Sequence, residues 1–307
     1  MKIIRAGREL ENFGKKVCLA LGFFDGVHLG HQQIIRQTIQ HAQQHEGLAV
    51  VITFDQHPNT VVAPERVPLL IYSLDQKLAA ISSLGVDTLL LFHFDRAFSE
   101  QSAENFIHNL ARDFGQIQSI CVGLNFAFGH QRRGNVDLLK QLGAELHFAV
   151  QGLAAVSLDG KAVSSTRIRE TIQSGELDAA SQMLGRAYSL AGSVIRGDKL
   201  GRQLGFPTAN LEVKGLVLPP KGVYAVHAKA EDKTWRAVLN IGTRPTLKNS
   251  NPDLRVEAHL LDFDGDLYGR SLEIIFVEKL REEKKFADLA QLRAQINIDI
   301  QEARRRF

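Results

Sequence analysis

Apolar runs alternate with helical spacings in the first part of the chain. Four runs have the length and composition of buried strands: residues 17–21, 48–54, 89–92 and 120–123. Between them, residues 34–42 and 106–114 carry apolar side chains three and four apart, which predicts amphipathic helices. Strands that alternate with helices form parallel sheets with helices on both faces, and ligands bind at the carboxyl ends of such strands. The pattern therefore predicts an α/β domain with its site at one sheet edge.

A different pattern begins near Gly185. The apolar runs become short, alternating and rich in turn residues, which favours an antiparallel barrel or sandwich; they cover 190–195, 223–230, 235–240, 254–261 and 272–277. A last segment, 286–307, has helical spacing and predicts a helix packed on this β structure. Its final arginines, 304–306, suit a helix C-terminus, where cations complement the dipole. We expect two domains, 1–185 and 186–307.

Composition narrows the function classes. The 307 residues include 37 Lys and Arg against 34 Asp and Glu, a balance too even for a dedicated nucleic-acid-binding protein. Charges in the first nine residues interrupt any secretory signal, and no apolar stretch is long enough to span a bilayer, so we expect a cytoplasmic protein. Cys18 and Cys121 lie in apolar runs far apart and are expected to be small core residues.

The first candidate chemistry follows the first apolar run. The letters HLGH (28–31) place His28 and His31 between a strand end and a helix start. A helix N-terminus offers unpaired N–H groups and a positive dipole end to a phosphate, and the imidazoles add donors. Gly30 has no Cβ, so a nucleotide could approach the backbone. The spacing suggests nucleotidyl transfer, although a metal site or two surface histidines would give the same letters.

Polar residues follow other strand ends as well. One loop, 123–134, combines phenylalanines with two arginines, which suits a ligand with a ring and phosphates; core phenylalanines and a solvated arginine tip are the alternative. Another segment, 163–172, has hydroxyls before a short helix that Gly175 ends. These hydroxyls would cap the helix, while its arginines would clamp phosphate oxygens. The residues concerned are Asn125, Phe126, Phe128, Arg132, Arg133, Ser164, Ser165, Thr166, Arg167 and Arg169.

Eight motifs, in order, resemble the bifunctional bacterial riboflavin kinase and FAD synthetase family. Those of the first domain are GFFDGVHLGHQ (22–32), TFDQHP (53–58), VGLNFAFG (122–129) and SSTRIR (164–169). Those of the second are GRQLGFPTAN (201–210), GVYA (222–225), NIGTRP (240–245) and VEAHLLDF (256–263). The resemblance spans almost the whole chain. Gln56 stands where proline is usual and Asn125 where aspartate is common, which puts flavin affinity there in doubt.

The resemblance implies a fold and two reactions. The first domain would be a Rossmann-like nucleotidyltransferase with a parallel sheet, and the second an antiparallel β-barrel kinase domain with a terminal helix. The barrel would phosphorylate riboflavin with ATP to FMN, and the first domain would adenylylate FMN with a second ATP to FAD. Riboflavin, FMN and ATP are then the small-molecule partners and Mg²⁺ the metal. We expect neither nucleic acid nor membrane as partner, and a monomer or weak homo-oligomer.

The resemblance also implies residue roles. The nucleotide-binding set is Gly22, Phe23, Asp25, Gly30, Asn125, Ser164, Ser165, Thr166, Gly197, Gly205, Thr208 and Asn210. Thr208 and Asn210 would in addition help to hold magnesium. The flavin-binding set is His57, Pro58, Phe126, Phe128 and Arg281. Those with catalytic roles in the two reactions are Glu257, His28, His31, Arg167 and Arg169.

Glu257 is the expected base of the kinase reaction, because a ribityl hydroxyl must lose a proton to become a nucleophile. In the strand pattern of 254–261 it shares a polar face with His259, opposite Val256, Ala258 and Leu260. A carboxylate on a polar strand face is ordinarily just solvated, so the role rests on the resemblance. We interpret His259 as structural.

Three other functions remain open at this point. The chain could make only FMN, with an adenylyltransferase site that has degenerated at Gln56 and Asn125. It could sense flavin or nucleotide without turnover, in which case substitution of Glu257 would have no effect. A nucleic-acid-binding barrel is disfavoured by the charge balance and by only 4 Tyr and 1 Trp for stacking.

Overall fold

Residues 1–10, 14–197, 200–243 and 254–307 are described by the computed structural model, and they divide into two units, Met1–Arg167 and Ile168–Phe307. The first unit is built on six strands: β1 (Lys2–Ile4), β2 (Val17–Leu21), β3 (Leu48–Phe54), β4 (Thr88–Phe92), β5 (Ile117–Gly123) and β6 (Ala149–Leu153). They form one sheet in the order β1-β4-β3-β2-β5-β6, and every pairing is parallel. This confirms the parallel sheet predicted from the sequence.

The helices of the first unit connect these strands. They are α1 (Leu29–Gln44), α2 (Asn59–Val62), α3 (Leu74–Ser82), α4 (Arg96–Ser99), α5 (Ala103–Phe114) and α6 (Val136–Glu145). A short hairpin of β7 (Ser157–Leu158) and β8 (Lys161–Ala162) precedes α7 (Ser165–Ser174), which continues into the second unit. Gly175, with a φ of +88°, ends α7 as predicted.

Both faces of the sheet are buried, which explains why its strands are apolar throughout rather than alternating. Leu19 and Leu21 of β2 point to the core that α5 and α6 cover. Ala20 points to the opposite core, which α1 and α3 complete. Cys18 and Cys121 are buried free cysteines, and burial raises the pKa of each thiol, to about 11 for Cys121. The prediction that they are core residues is confirmed.

In the second unit, strands and helices follow in the order α8 (Leu177–Leu184), β9 (Ser189–Ile195), α9 (Leu200–Leu204), β10 (Ala209–Glu212), β11 (Gly222–Ala230), β12 (Lys233–Thr243), β13 (Leu254–Leu260), β14 (Ser271–Arg281) and α10 (Leu289–Arg306). The six strands form a closed barrel in the order β10-β13-β12-β11-β14-β9, with antiparallel pairing throughout. Of the two predicted alternatives, barrel and sandwich, the barrel is the one formed.

Side chains fill the barrel in cross-strand rows. Tyr224, Leu239 and Ala258 are register partners on β11, β12 and β13, and each is at most 2% exposed. Helix α10 covers part of the outside, where Ala303 packs with Val223 and Val238. This confirms the predicted helix on the β structure, with one correction. It begins at Leu289 rather than near residue 286, because Asp288 caps it by accepting the N–H of Gln291 at 2.8 Å.

Candidate active sites

The His28 and His31 pair lies at the carboxyl edge of the parallel sheet, at the N-terminus of α1. His28 is the N-cap: its Nδ1 accepts the backbone N–H of His31 at 3.4 Å. The two imidazole rings stack with centroids 3.5 Å apart, and His28 is buried while His31 is half-buried. The sequence therefore brings two imidazoles and the first turn of a helix to one spot, as its spacing predicted.

The loop before this helix has an unusual backbone. Phe24 and Val27 have φ values of +56° and +40°, and Gly26 between them has +75°. Left-handed backbone at two non-glycine residues is strained and persists only when its surroundings hold it. The buried Asp25 carboxylate holds it here, because it accepts the N–H groups of Ile71 at 3.0 and 3.1 Å and of Tyr72 at 3.3 Å. The structure thus gives Asp25 a role within the fold; its nucleotide contact stays a prediction.

Two glycines of this loop have steric reasons of their own. A Cβ on Gly30 would lie 3.3 Å from Cε1 of His28 and would crowd the stacked ring. A Cβ on Gly22 would lie 2.8 Å from the ring of Phe24. A side chain at position 22 would therefore displace the Phe24 ring, and one at position 30 would press on the His28 ring. Close approach of a nucleotide to these glycines stays a prediction.

A second loop, residues 55–58, follows β3 at the same carboxyl edge of the sheet, and we call this edge the crevice. His57 contacts the ring of Phe23 edge-on, with centroids 4.9 Å apart, and its Nδ1 accepts the N–H of Asn59 at 3.1 Å. Pro58 precedes the short helix α2. Gln56, the departure from the family pattern, donates from Nε2 to the carbonyl of Phe94 at 2.7 Å, so its side chain fastens the loop after β4. His57 and Phe23, both predicted site residues, are neighbours.

Asp55 fastens the same loop by a second contact. Its carboxylate lies 2.7 Å from Nδ1 of His93 and accepts the N–H of Phe94 at 3.3 Å. Burial alone would raise the pKa of Asp55, but the hydrogen bonds and the charge of His93 outweigh it and lower the pKa. The same bond raises the pKa of the exposed His93.

Phenylalanines line the ends of β3, β4 and β5. We call them the phenylalanine cluster, and they are Phe54, Phe92, Phe94, Phe98, Phe106, Phe126 and Phe128. Phe128 is only 8% exposed and belongs to the sheet core, which favours the core alternative for it. Phe126 is half-buried and stacks on Phe128 with centroids 5.3 Å apart, so it is open to a ligand. Asn125 is exposed, as are Arg132 and Arg133 at the loop tip.

Helix α7 starts beside residues 22–31, which carry His28 and His31 and which we call the histidine loop. Ser164 Oγ accepts the N–H of Arg167 at 3.2 Å, which is the predicted cap, and Ser165 Oγ donates to the carbonyl of Asp25 at 3.1 Å. Thr166 is exposed. The Arg167 guanidinium donates from Nη1 to two carbonyls of the β7–β8 hairpin, each at 3.0 Å. Arg169 follows two residues later in the helix, and phosphate binding by either arginine stays a prediction.

Sequence reasoning missed one buried charge in this crevice. Lys77 of α3 is 4% exposed, and its Nζ donates to the carbonyls of Phe54 at 2.7 Å and Phe23 at 3.3 Å and to Thr53 Oγ1 at 3.4 Å. Burial lowers its pKa to about 8, against the opposing charges of Asp25 and Asp55. A lysine inside a helical segment resembles any solvated lysine, so only a pattern of strand ends around it could have identified it.

The second site lies on the outer face of the barrel. Val256, Ala258 and Leu260 of β13 point inward and are buried, while Glu257 and His259 point outward and are half-buried, as the alternation predicted. Glu257 is the register partner of Asn210 on β10 and of Asn240 on β12. Directly opposite residues share a face, so these three polar side chains form one row. Asn240 was not among the predicted site residues, and register is what identifies it.

The chain segment before β10 packs on this row. A Cβ on Gly197 would collide with the side-chain amide of Asn210, so glycine lets this backbone lie against the asparagine without moving that amide. Gly205 has a φ of +91° and turns the chain after α9. His259 Nδ1 lies 2.8 Å from the carbonyl of Pro207 and fixes the position of the half-buried Thr208 that follows. The structural interpretation of His259 agrees with this bond.

Arg281, which was predicted to bind flavin, forms a partly buried ion pair with Asp299. Its Nε and Nη2 donate to the two carboxylate oxygens of Asp299 at 2.8 and 2.7 Å, which joins β14 to α10. Any flavin contact of Arg281 stays a prediction. The last two residues of the NIGTRP motif, Arg244 and Pro245, lie outside the described residues.

The side chains near the barrel site include oxygen donors suited to a metal ion. Within residues 1–10, 14–197, 200–243 and 254–307, no three His, Cys, Asp or Glu side chains group as metal ligands. Thr208 and Asn210 carry a hydroxyl and an amide oxygen, and hard cations such as Mg²⁺ prefer oxygen ligands and take few from protein when phosphates supply the rest. These residues fit that role. In the described part of the chain, no helix is both long and apolar enough to cross a bilayer.

Comparison with known proteins covers both units. The FAD synthetase family model matches residues 11–167, and the riboflavin kinase model matches residues 184–307. A bifunctional riboflavin kinase/FMN adenylyltransferase from Pseudomonas fluorescens is 37% identical over 99% of this chain and 97% of its own length. The protein of the same description from Escherichia coli K12 is 36% identical over 100% and 98%.

A solved structure resembles the whole chain as well. It is described as a macrolide-efflux protein from Streptococcus pneumoniae, is 27% identical, covers 98% of both chains and superposes with a TM-score of 0.82. The parallel-sheet unit with its histidine loop, the barrel with its Glu257 row, and the two family matches in the same order agree with one another. The chain belongs to the family of bifunctional riboflavin kinase/FMN adenylyltransferases.

Proposed function

We propose that this chain makes FAD from riboflavin in two ATP-dependent steps, first FMN in the barrel and then FAD in the parallel-sheet unit. Full-length similarity to the bifunctional relatives carries the proposal, because it includes the histidine loop of one unit and the Glu257 row of the other. The sensor alternative is disfavoured, since a protein that only binds has no need of a carboxylate beside the segment that contains Thr208.

In the barrel, Glu257 is the proposed base. It takes the proton of the ribityl 5′-hydroxyl, whose oxygen forms a bond to the γ-phosphorus of ATP while the bond to ADP breaks. Its register partners Asn210 and Asn240 place one side-chain amide on each side of it. Bound Mg²⁺, held in part by Thr208 and Asn210, would neutralise phosphate charge. The Gly197 segment lets backbone lie close to the same asparagine.

In the parallel-sheet unit, the chemistry needs no base. The FMN phosphate is already a nucleophile, so its oxygen bonds to the α-phosphorus of ATP while pyrophosphate leaves. The protein has to align the two substrates and balance negative charge. His28, His31 and the first turn of α1 supply N–H donors for the phosphates. Arg167 and Arg169 are the proposed partners of the leaving pyrophosphate.

The flavin ring of FMN is proposed to lie against the open side of the phenylalanine cluster. Phe126 is the half-buried ring there, stacked on a core phenylalanine that keeps it in place. His57 and Pro58 border the same crevice from the loop after β3. Gln56 joins its own loop to the loop after β4 through its bond to the Phe94 carbonyl, so the departure from proline leaves these two loops connected. This favours a working site over the degenerate alternative.

Further properties are proposals of the same kind. We retain 1–185 and 186–307 as the functional domains, with α7 and α8 assigned to the first. A cytoplasmic location and a monomer or weak homo-oligomer are also retained. Sedimentation of the purified protein with and without flavin measures the oligomeric state.

The test supplies each substrate separately. Riboflavin with ATP and Mg²⁺ should give FMN, and FMN with ATP and Mg²⁺ should give FAD and pyrophosphate. If riboflavin gives FMN but neither riboflavin nor added FMN gives FAD, the result would support the kinase-only alternative. Binding of flavin without any conversion would support the sensor.

A further inference from the structure

The buried ammonium of Lys77 joins the two strand ends from which the loops of the adenylyltransferase crevice depart. One loop starts after β2 and leads through Phe23 to the histidine pair, and the other starts after β3 at Phe54. The parallel register of β2 and β3 runs to Leu21 and Ile52, and the N–H of Gly22 donates to the carbonyl of Ile52 at 3.2 Å. Lys77 continues the connection with bonds to the carbonyls of Phe23 and Phe54.

We infer that Lys77 is a positioning residue for adenylyl transfer, with its ammonium holding the histidine loop and the His57 loop at a fixed separation. The inference rests on the proposed function of this crevice. An ammonium has three donors, and three acceptors surround it: the carbonyls of Phe23 and Phe54 and the hydroxyl of Thr53. Thr53 Oγ1 in turn donates to the Phe23 carbonyl at 2.9 Å, which closes the network.

The contact extends to the side chain of Phe23. Lys77 Nζ lies 4.2 Å from the centroid of that ring, a cation–π distance, and His57 contacts the same ring edge-on. The ammonium therefore fixes the backbone of both loops and the Phe23 ring that His57 contacts. Displacement of these loops by about 1 Å would misalign the phosphate of FMN and the α-phosphate of ATP, which costs about 100-fold in rate in comparable cases.

Burial of a lysine ammonium between two carbonyls is energetically unfavourable, because the charge loses its hydration. Lys77 lies in the first turn of α3, where the positive end of the helix dipole disfavours a cation, and burial lowers its pKa to about 8. Asp25 on the histidine loop and Asp55 on the other loop oppose this with negative charge, and Asp55 itself is paired with His93. His57 faces the shared Phe23 ring, and Asp75 lies exposed on α3. A charge kept at such cost points to a function.

The test replaces Lys77 in the full chain, so that riboflavin kinase activity is measured in the same molecule. Lys77→Gln keeps two donors but no charge, and Lys77→Arg keeps a charge at every working pH. Lys140→Gln, on the exposed face of α6, is the matched control. At pH 7 we expect Lys77→Gln to lose about 100-fold in FAD formation from FMN, with unchanged FMN formation and an unchanged circular dichroism spectrum.

The pH profile separates positioning by charge from simple packing. In the wild type the rate of FAD formation should fall as pH rises through about 8, where the Lys77 ammonium loses its proton. In Lys77→Arg that fall should disappear or move to higher pH. FAD formation by folded Lys77→Gln within about two-fold of the Lys140→Gln control would overturn the inference. So would identical profiles for the wild type and Lys77→Arg, which also decide the matter if Lys77→Gln does not fold. Wild-type protein that forms no FAD at all would instead contradict the proposed function.

Discussion

The sheet-edge crevice and the barrel face, which we propose as the sites of two reactions of ATP, present opposite kinds of side chain. The crevice gathers stacked imidazoles, a helix N-terminus and a buried ammonium, with its nearest carboxylates already bonded to backbone N–H groups or to His93. The barrel face centres on a carboxylate between two amides. The proposed reactions would account for the difference, because an FMN phosphate is already anionic whereas a ribityl hydroxyl must be deprotonated.

The two sites are also assembled by different rules. Parallel strands end at one edge, so residues far apart in the chain meet there through loops, and a strained loop such as Phe24–Val27 must be held by its neighbours. Antiparallel strands bring residues together by register, so Glu257 meets its asparagines without any loop. The crevice should therefore be sensitive to contacts that hold loops, and the barrel face to the identity of one side chain.

Replacement of the proposed base should have the largest effect. Glu257→Gln keeps the size of the side chain and removes its ability to accept a proton, so FMN formation should fall about 1,000-fold. FAD formation from supplied FMN should be unchanged, because it occurs in the other unit. Rates of both reactions, measured by chromatography of the flavins, give the comparison.

The matched control is Glu212→Gln, an exposed glutamate on the neighbouring strand β10. It should leave both rates unchanged. Equal and small losses in the two variants would contradict the assignment of the base and favour a solvated role for Glu257.

Replacement of His28 should have the next largest effect, and it should slow FAD formation without slowing FMN formation. His28→Asn retains a side chain that caps helices well while removing the ring, so the helix should persist and FAD formation should fall about 100-fold. Comparison with His28→Ala separates the two roles, because only alanine loses the cap. A lower thermal midpoint in His28→Ala but unchanged FAD formation in His28→Asn would reduce His28 to a capping residue.

The open ring of the phenylalanine cluster should affect binding more than turnover. Phe126→Ala removes a stacked surface and should raise the KM for FMN about ten-fold, with little change in kcat or in the KM for ATP. Steady-state kinetics with each substrate varied in turn measure this. An equal rise in both KM values would indicate that the loop, rather than the ring, was disturbed.

The smallest expected effect concerns pH and the Asp55–His93 pair. The hydrogen bond from Asp55 raises the pKa of His93, so the stabilisation is complete below the ordinary histidine value of 6.5 and is lost as pH rises through the raised value. Asp55 has a lowered pKa, so its share is present above 3.8 and is lost as pH falls through the lowered value. The thermal midpoint of the wild type should therefore decline more than that of His93→Gln as pH rises above the ordinary histidine value of 6.5. Parallel curves would contradict the pairing.

Local patterns predicted much of this molecule. Strands β2 and β3 have the predicted bounds because their runs are buried on both faces and end in turn residues. The outward direction of Glu257 followed from alternation alone. The short edge strands β1 and β6 were not predicted, since β1 has only three residues and β6 is partly exposed, and neither has a long apolar run.

What the sequence could not give were the long-range partners. Lys77 is recognisable only from the strand ends around it, which lie 23 and 54 residues away in the chain. Asn240 required the β12–β13 register. The sequence around Arg281 does not show whether its side chain binds a ligand or pairs with Asp299. That pairing depends on the packing of α10 against β14. The sequence left two interpretations of Phe128, a core residue or a ligand-binding residue, and the fold buries it.

The most direct test of two separate sites is a time course with the unmodified chain. Riboflavin, ATP and Mg²⁺ are incubated with the protein, and riboflavin, FMN and FAD are resolved by chromatography. Two sites in series predict that FMN appears first and FAD follows after a lag, with Glu257→Gln forming FAD only from added FMN. No conversion of riboflavin or FMN by the folded protein would contradict the account.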